Sequence, residues 1–378
     1  MIVMSSAAGS LSRNRLEGIG QILADELRPY AGRSETVARM AAACTVTTII
    51  VMTFRIPYAF LGIFYAFVIS RQRPEWLVRN GFGAVGGSAA AVVFVAAGVQ
   101  VFYDYNVLHF AFLAFTLFLV FYLKRALTND SLTFGFGVTA TVALTLIWDQ
   151  PKPTEAHLDA TFALSFVVAL GTLVAMAVAW VALQLNRAEN SPAARSTKPW
   201  LVPDAFSNRD YTTYALKGCV AGMLCYVLDS SVAWPVIMGA CAETCIVCAR
   251  PLTSGTGTRA ERLFVSIAAL IVGGVALGFG SHGLLLPSVD SITGFILQFA
   301  VIAALAAWVA TSSPRLSYAG TLGAMGFFFP MVTGFAPNPP LGRSGAFFVD
   351  LVLALLAFWL ILDGASGDRQ LLSSNQFV

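Results

Sequence analysis

Residues 186–211 read NRAENSPAARSTKPWLVPDAFSNRDY, and no other polar stretch of this length interrupts the chain. It falls almost at the middle of 378 residues. Around it, 57% of the residues are hydrophobic and 11% charged, with a mean hydropathy of +0.74. An average soluble domain carries about 25% charged residues. A surface of this size cannot be coated with so few charges, so the composition specifies an integral membrane protein.

Working outward from the linker, apolar runs of roughly 20 residues lie near 37–54, 57–70, 82–103, 107–123, 131–148 and 160–185. Beyond it they lie near 212–228, 233–249, 263–281, 291–311, 315–335 and 345–362. The expected fold is an all-α polytopic membrane protein of about 12 transmembrane helices. The runs 57–70 and 233–249 are short and closely follow their predecessors, which leaves tilted, buried or re-entrant segments open there. A transmembrane β-barrel is disfavoured, because its strands alternate over roughly 9–11 residues and these runs are continuously apolar. No charged n-region with a cleavage site opens the sequence, so no removable signal peptide is expected. In residues 11–33, Leu16, Ile19, Leu23 and Leu27 recur at helical spacing opposite charges. That pattern suits an amphipathic helix, either on the membrane surface or packed on the bundle.

The cations set the orientation. Nineteen of the 23 Lys and Arg residues fall at the termini, in the linker or in alternate loops, all on one side. The opposite loops hold only Arg55, Lys152 and Arg343, and Lys217 lies inside a span. By the positive-inside rule both termini and the linker are cytoplasmic. The expected divisions are an interfacial segment 1–33, a first transmembrane repeat 34–185, the linker 186–211, a second repeat 212–363 and a tail 364–378.

The two halves echo one another. Arg39 precedes Pro57 by 18 residues, and Lys217 precedes Pro235 by 18. Each half then has a cationic loop leading into a small-residue helix, GFGAVGGSAAA (81–91) or IAALIVGGVALG (267–278). Next come LTFGFGVTATVAL (132–144) and LSYAGTLGAMGFF (316–328). Each half closes on a helix opened by an aspartate, Asp159 or Asp350. Six spans per half with a cytoplasmic linker give two parallel six-helix repeats, an arrangement that puts a path at the repeat interface. The small-residue helices suit close packing within one chain or between copies in a homo-oligomer.

The basic loop with a late arginine before a Gly-rich helix (RNGFGAVGG at 79–87, ERLFVSIAALIVGG at 261–274) resembles the fusaric acid resistance protein-like (FUSC) membrane family. RLSYAG at 315–320, its copy SLTFGFG at 131–137, and the aspartates Asp159 and Asp350 belong to the same pattern. The resemblance covers roughly residues 35–365. It implies a bacterial inner-membrane exporter of aromatic carboxylates or related organics, working with a periplasmic adaptor protein. The chain is more distantly similar to plant aluminium-activated malate transporters, which conduct organic anions passively. Many family members carry sizeable cytoplasmic domains after each half, and here only the short linker and tail occupy those places.

GACAETCIVCARP (239–251) poses the sharpest local question. On a helix Cys241, Cys245 and Cys248 share one face, with Glu243 and Arg250 on the other. Three cysteines without a nearby histidine make a poor zinc set, and buried cysteine usually packs as a small hydrophobe. No metal, cofactor or disulfide framework is expected. Glu243, inside a span, is either a helix-to-helix anchor or a proton-carrying acid, since a carboxylate in the bilayer is costly unless it faces a partner or cavity. The repeat offset that carries Arg39 onto Lys217 carries Tyr65 onto Glu243, so any role there is asymmetric.

Asp159 and Asp350 read as helix caps or as gating and proton-exchanging acids. Arg39 and Lys217 read as snorkelling residues or attractors of an anionic substrate. Arg79, Arg250 and Arg262 divide in the same way between headgroup contact and the substrate. Tyr65, Phe134 and Tyr318 are candidate walls for an aromatic substrate because of their places in the repeats. His109 opens the fourth span at its outer end, as a capped or interfacial histidine.

No phosphate loop, G-x-S-x-G or H-E-x-x-H motif occurs, so no enzyme is expected. The basic residues follow membrane topology and form no nucleic-acid face. Three functions remain: a proton-coupled exporter of organic anions, a passive organic-anion channel, and a scaffold subunit docking other envelope proteins through the outer loop 336–344.

Overall fold

The computed structural model describes residues 28–30, 32–72, 74–102, 105–149, 154–185, 201–204, 206–232, 267–268, 271–273, 291–312, 314–331 and 356. Among them are nine helices. They are α1 (Arg33–Thr53), α2 (Ala59–Ser70), α3 (Pro74–Phe102), α4 (Asn106–Ala126), α5 (Asp130–Asp149), α6 (Thr154–Leu185), α7 (Arg209–Val232), α8 (Ile292–Ala310) and α9 (Pro314–Met331). The described residues form no sheet; one isolated antiparallel bridge joins Leu127 to Leu201. Five segments are long and apolar enough to cross a membrane: Arg33–Thr53, Trp76–Phe102, Val107–Ala126, Glu155–Gln184 and Ile292–Ala310. The chain is a multi-pass membrane protein.

The nine helices coincide with nine of the apolar runs. The runs 233–249, 263–281 and 345–362 lie outside the described residues, apart from 267–268, 271–273 and 356. Residues 11–27 of the amphipathic stretch, most of the linker and the tail lie outside them as well. Boundaries shift where polar residues are good helix starters. α1 begins with Glu35 in its first turn and α7 with Asp210, which complement the helix dipole, so Arg39 and Lys217 sit one to two turns in. α6 likewise starts at Thr154 with Glu155 in its first turn. Asp159 therefore does not open its helix; it lies in the second turn, exposed.

α2 is the organising element. Twelve residues at about 1.5 Å each reach about 18 Å, too short for a hydrocarbon layer of about 30 Å. Every residue of α2 except Val68 is buried, packed against α1, α3, α6 and α9. A tight reversal delivers the chain from α1 into it, with Arg55 at φ 50° and Tyr58 at φ 56°. Such values are rare for residues with a side chain, and the surrounding packing holds them.

Close crossings replace the water-driven packing of soluble bundles. A Cβ on Gly171 of α6 would lie 1.9 Å from the Gly62 carbonyl oxygen of α2. At the most extensive helix pair, α3 with α5, a Cβ on Gly87 would lie 2.0 Å from the Leu132 oxygen, and one on Gly135 2.2 Å from the Ala84 oxygen. Glycine lets these backbones touch.

The segments before and after the linker are joined by two helix pairs, α1 against α8 and α4 against α7, with α9 also reaching α2. Each pair carries an arginine stacked on an aromatic ring. The Arg33 guanidinium lies 4.2 Å from the Trp308 ring centroid, and that of Arg125 4.2 Å from Tyr214. Arg33 also donates to the Trp308 carbonyl and, at 3.3 Å, to Thr311 Oγ1. It thereby satisfies the last turn of α8, whose carbonyls have no partner within the helix.

Candidate functional site

Buried hydroxyls in this bundle mostly bond to their own helix. Thr47, Thr48, Thr141 and Thr161 each donate to the carbonyl four residues earlier, at 2.7–2.8 Å, the usual resort of threonine where no water is present. The inner end of α2 departs from this rule and gathers the polar chemistry of the described bundle.

An aromatic layer comes first. Tyr65 of α2 is fully buried, donates its hydroxyl to the Phe134 carbonyl of α5 at 3.1 Å, and sets its ring 5.2 Å from that of Phe134. Phe67, two residues on, meets Phe328 of α9 edge to face at 5.7 Å, and Phe328 stacks on Phe299 of α8 at 5.5 Å. Rings from four helices thus close the bundle at one level. The edge-to-face and tilted pairings suit the aromatic quadrupole.

One turn further toward the cationic side, α2 ends at Ser70 and its carbonyls need donors. Arg39, only 6% exposed, supplies them: Nε donates to the Ser70 oxygen at 3.1 Å and Nη2 to the Gln72 oxygen at 3.0 Å. Arg71 Nη1 donates to Thr321 Oγ1 of α9 at 3.2 Å, and Gln72 Nε2 to Ser131 Oγ of α5 at 3.2 Å. Asn80 of α3 donates to the Gln72 side chain. Asn129 Oδ1 caps α5, accepting from the Ser131 and Leu132 amides at 3.1 and 3.4 Å. Segment 70–72 is therefore stitched to α1, α3, α5 and α9 at once.

Of the residues singled out in the sequence, the structure brings Tyr65 and Phe134 into direct contact and puts Arg39 one turn away. Arg79 is half-buried, its guanidinium 5.8 Å from the Trp76 ring centroid. Lys217 is half-buried on α7, away from this junction in sequence and in helix contacts. Asp159 faces outward on α6. Glu243, Asp350, Arg250 and Arg262 lie outside the described residues, as does the side chain of Tyr318 on α9. His109 is 5% exposed with Nε2 3.2 Å from the Leu144 oxygen of α5, so it is buried rather than interfacial.

Sequence reasoning missed Ser70, Arg71, Gln72, Thr133, Ser317 and Thr321. A signal was present for two of them: Thr133 and Ser317 immediately precede Phe134 and Tyr318 in the repeated motif. No group of three His, Cys, Asp or Glu side chains that could hold a metal occurs among the described residues.

Over 142 residues, 37% of the chain, the sequence is 37% identical to the multidrug resistance protein MdtO of Escherichia coli O157:H7. It is likewise 37% identical to MdtO of Shigella flexneri and 36% identical to that of Escherichia coli strain K12. The matched stretch spans 20% of the length of these relatives. No family model matches the chain, and no solved structure matches it.

Proposed function

We propose that the chain is the membrane unit of an efflux system, exporting amphipathic organic anions such as aromatic carboxylic acids across a bacterial inner membrane with proton entry as the drive. The homology to MdtO, a protein named for multidrug resistance, carries this reading. It is consistent with the FUSC-like pattern of motifs and with the five apolar spans.

The helix contacts support a path between two parallel repeats. In such a repeat α1 corresponds to α7 and α4 to α8, so the pairs α1–α8 and α4–α7 exchange under the two-fold operation. Both pairs are present. The axis then runs between them, beside α2 and its aromatic layer. A substrate with an apolar body and a negative end would meet Arg71 first and the rings of Tyr65, Phe67 and Phe134 next. Proton carriage is assigned to Glu243, with Asp159 and Asp350 as further gating acids. Arg79, Arg250, Arg262 and Lys217 would draw anions to the cytoplasmic face, with the linker and both termini on that side. A periplasmic adaptor would continue the route, and a homo-oligomer would bury the outward face of α6.

The test is movement of labelled 4-hydroxybenzoate by vesicles of reconstituted protein, with and without an imposed pH gradient. Uphill movement that needs the gradient is expected. Downhill movement indifferent to the gradient would make the chain a passive anion channel, with the acids structural. No movement of this or other organic anions would leave it a scaffold and defeat the proposal. Within a working exporter, Glu243→Gln is expected to abolish gradient-driven movement while the protein still inserts and folds.

A further inference from the structure

The two halves enter the bundle in the same way. Arg33, the first residue of α1, and residues just ahead of it lie across the end of α8. The Tyr30 hydroxyl donates to the Thr311 carbonyl at 3.1 Å, Arg33 Nε to Thr311 Oγ1 at 3.3 Å and Arg33 Nη2 to the Trp308 carbonyl. At the other seam, residues ahead of α7 lie across the end of α4. Leu201 pairs with Leu127 in the antiparallel bridge, and the Val202 amide donates to the Ala126 carbonyl at 3.0 Å. In each half, then, the segment leading into the first helix straps the end of the other half's fourth helix. One strap holds by side chains and the other by backbone. A contact made twice with unrelated residues belongs to the architecture rather than to one local sequence.

Both straps sit at the cationic end of the bundle, and both cross a seam between the halves. A path between repeats opens at one end when the halves rock apart there. The pairs α1–α8 and α4–α7 cannot part at their cationic ends while a strap spans each of them.

The first strap is built to let go. Its acceptors include the terminal carbonyls of α8, which water can serve once the strap lifts. Tyr30 is 56% exposed, so its bond stands at the wet edge. Arg33 keeps two partners that travel with it, the Arg28 carbonyl at 2.7 Å and the Tyr30 ring at 5.7 Å. Gly32, at φ 82° with nothing within 4 Å of a Cβ, is a hinge with room to turn, in a conformation that glycine takes without cost. The second strap moves with α7, because the Asp204 carboxylate accepts from Asn208 at 2.9 Å and from Tyr211 of α7 at 3.1 Å.

We infer that the two straps are the closure of the path at its cationic end, and that they lift together from α8 and α4 when that end opens. The inference deepens the transport reading and rests on it for there being a path to open.

The experiment ties down the second strap. Directly opposed residues in an antiparallel pair have Cα atoms about 4.5–5.5 Å apart, within reach of a disulfide. The full chain carrying Leu127→Cys and Leu201→Cys is oxidised with copper phenanthroline, reconstituted, and followed for gradient-driven movement of labelled 4-hydroxybenzoate, with the bridge read by mass spectrometry. Movement is expected to be lost in the bridged protein and to return with dithiothreitol. Wild type and each single variant, oxidised in the same way, are expected to keep it, which controls for the six cysteines already in the chain. A bridged protein that moves the anion as fast as the reduced one overturns the inference, and so does a pair of cysteines that does not bridge.

Hydrogen exchange in micelles supplies a readout that needs no transport. The Arg33 and Thr36 amides, bonded to the Tyr30 and Gly32 carbonyls of the first strap, are expected to exchange more slowly once the distant 127–201 bridge forms. Unchanged exchange there overturns the coupling of the straps. Slowed exchange in a protein whose reduced form moves no anion would keep the straps and remove the transport reading.

Discussion

Arg39→Met separates three roles that a basic residue near a membrane face can have. The side chain is buried and gives Nε to the Ser70 oxygen and Nη2 to the Gln72 oxygen. Methionine matches the length of the stem and removes both donors, leaving two carbonyls at the end of α2 without them. A bond from a charged donor contributes about 1.5–3 kcal/mol, so the pair predicts a loss of about 3–5 kcal/mol, allowing for relaxation. Arg39→Lys supplies one point donor in place of a planar fork and should recover only part of this. The assay is reversible unfolding of the purified protein in mixed micelles, read by helical circular dichroism. A snorkelling arginine would cost little on replacement. A substrate-attracting one would leave stability intact and raise the substrate concentration for half-maximal transport. If Arg39→Met unfolds within about 0.5 kcal/mol of wild type, the range of ordinary surface changes, the capping role is wrong.

Further predictions follow from other elements. Gly87→Ala should sharply lower the yield of monodisperse protein on size-exclusion chromatography, because its Cβ would lie 2.0 Å from the Leu132 oxygen. Gly86→Ala should be neutral or stabilising by up to about 1 kcal/mol, since nothing lies within 4 Å of its Cβ. Tyr65→Phe keeps the ring against Phe134 and loses one hydrogen bond, for a destabilisation of about 0.5–1.5 kcal/mol in the same unfolding assay. Gln298→Leu should stabilise the bundle, because both amide atoms are buried without a partner among the described residues; a lower unfolding midpoint would contradict this. The Asn208 amide at 2.9 Å, with the Tyr211 hydroxyl at 3.1 Å, holds the Asp204 carboxyl below its usual range. Its contribution to order in 204–211 is therefore present above the ordinary aspartate value of about 3.9 and lost as pH falls through the lowered one. Hydrogen exchange across that segment should show protection disappearing at a higher pH in Asn208→Ala.

Much of the helical layout was legible because apolar length is the strongest signal a membrane chain carries, as in Val107–Ala126. Tyr65 and Phe134, singled out by their places in the repeats, lie against one another. The junction chemistry was not legible, for two reasons. Ser70 and Thr133 look like any hydroxyl in an apolar helix, and only a side-chain oxygen without a partner among the described residues distinguishes them from Thr141, which bonds to its own turn. Arg39 read as a snorkelling or substrate-attracting residue, because its partners here are the Ser70 and Gln72 backbone carbonyls and sequence gives no mark for where another helix ends. Of the two readings of Asp159, the helix cap does not fit, because helix formation begins in polar residues at Thr154, before the apolar run does.

The two arginine–aromatic clasps differ from the helix pairs that hold them in one respect. In both, the guanidinium comes from the segment before the linker, Arg33 or Arg125, and the stacked ring from the segment after it, Trp308 or Tyr214. Two copies of the leading segment would set arginine against arginine across the seam, and two of the trailing segment would set ring against ring. The halves are thus keyed as plug and socket. During synthesis the leading half waits in the bilayer with Arg33 beside its own Tyr30 ring and Arg28 oxygen, and its own trailing half, emerging later from the same ribosome, adds the Trp308 and Tyr214 rings that complete the clasps.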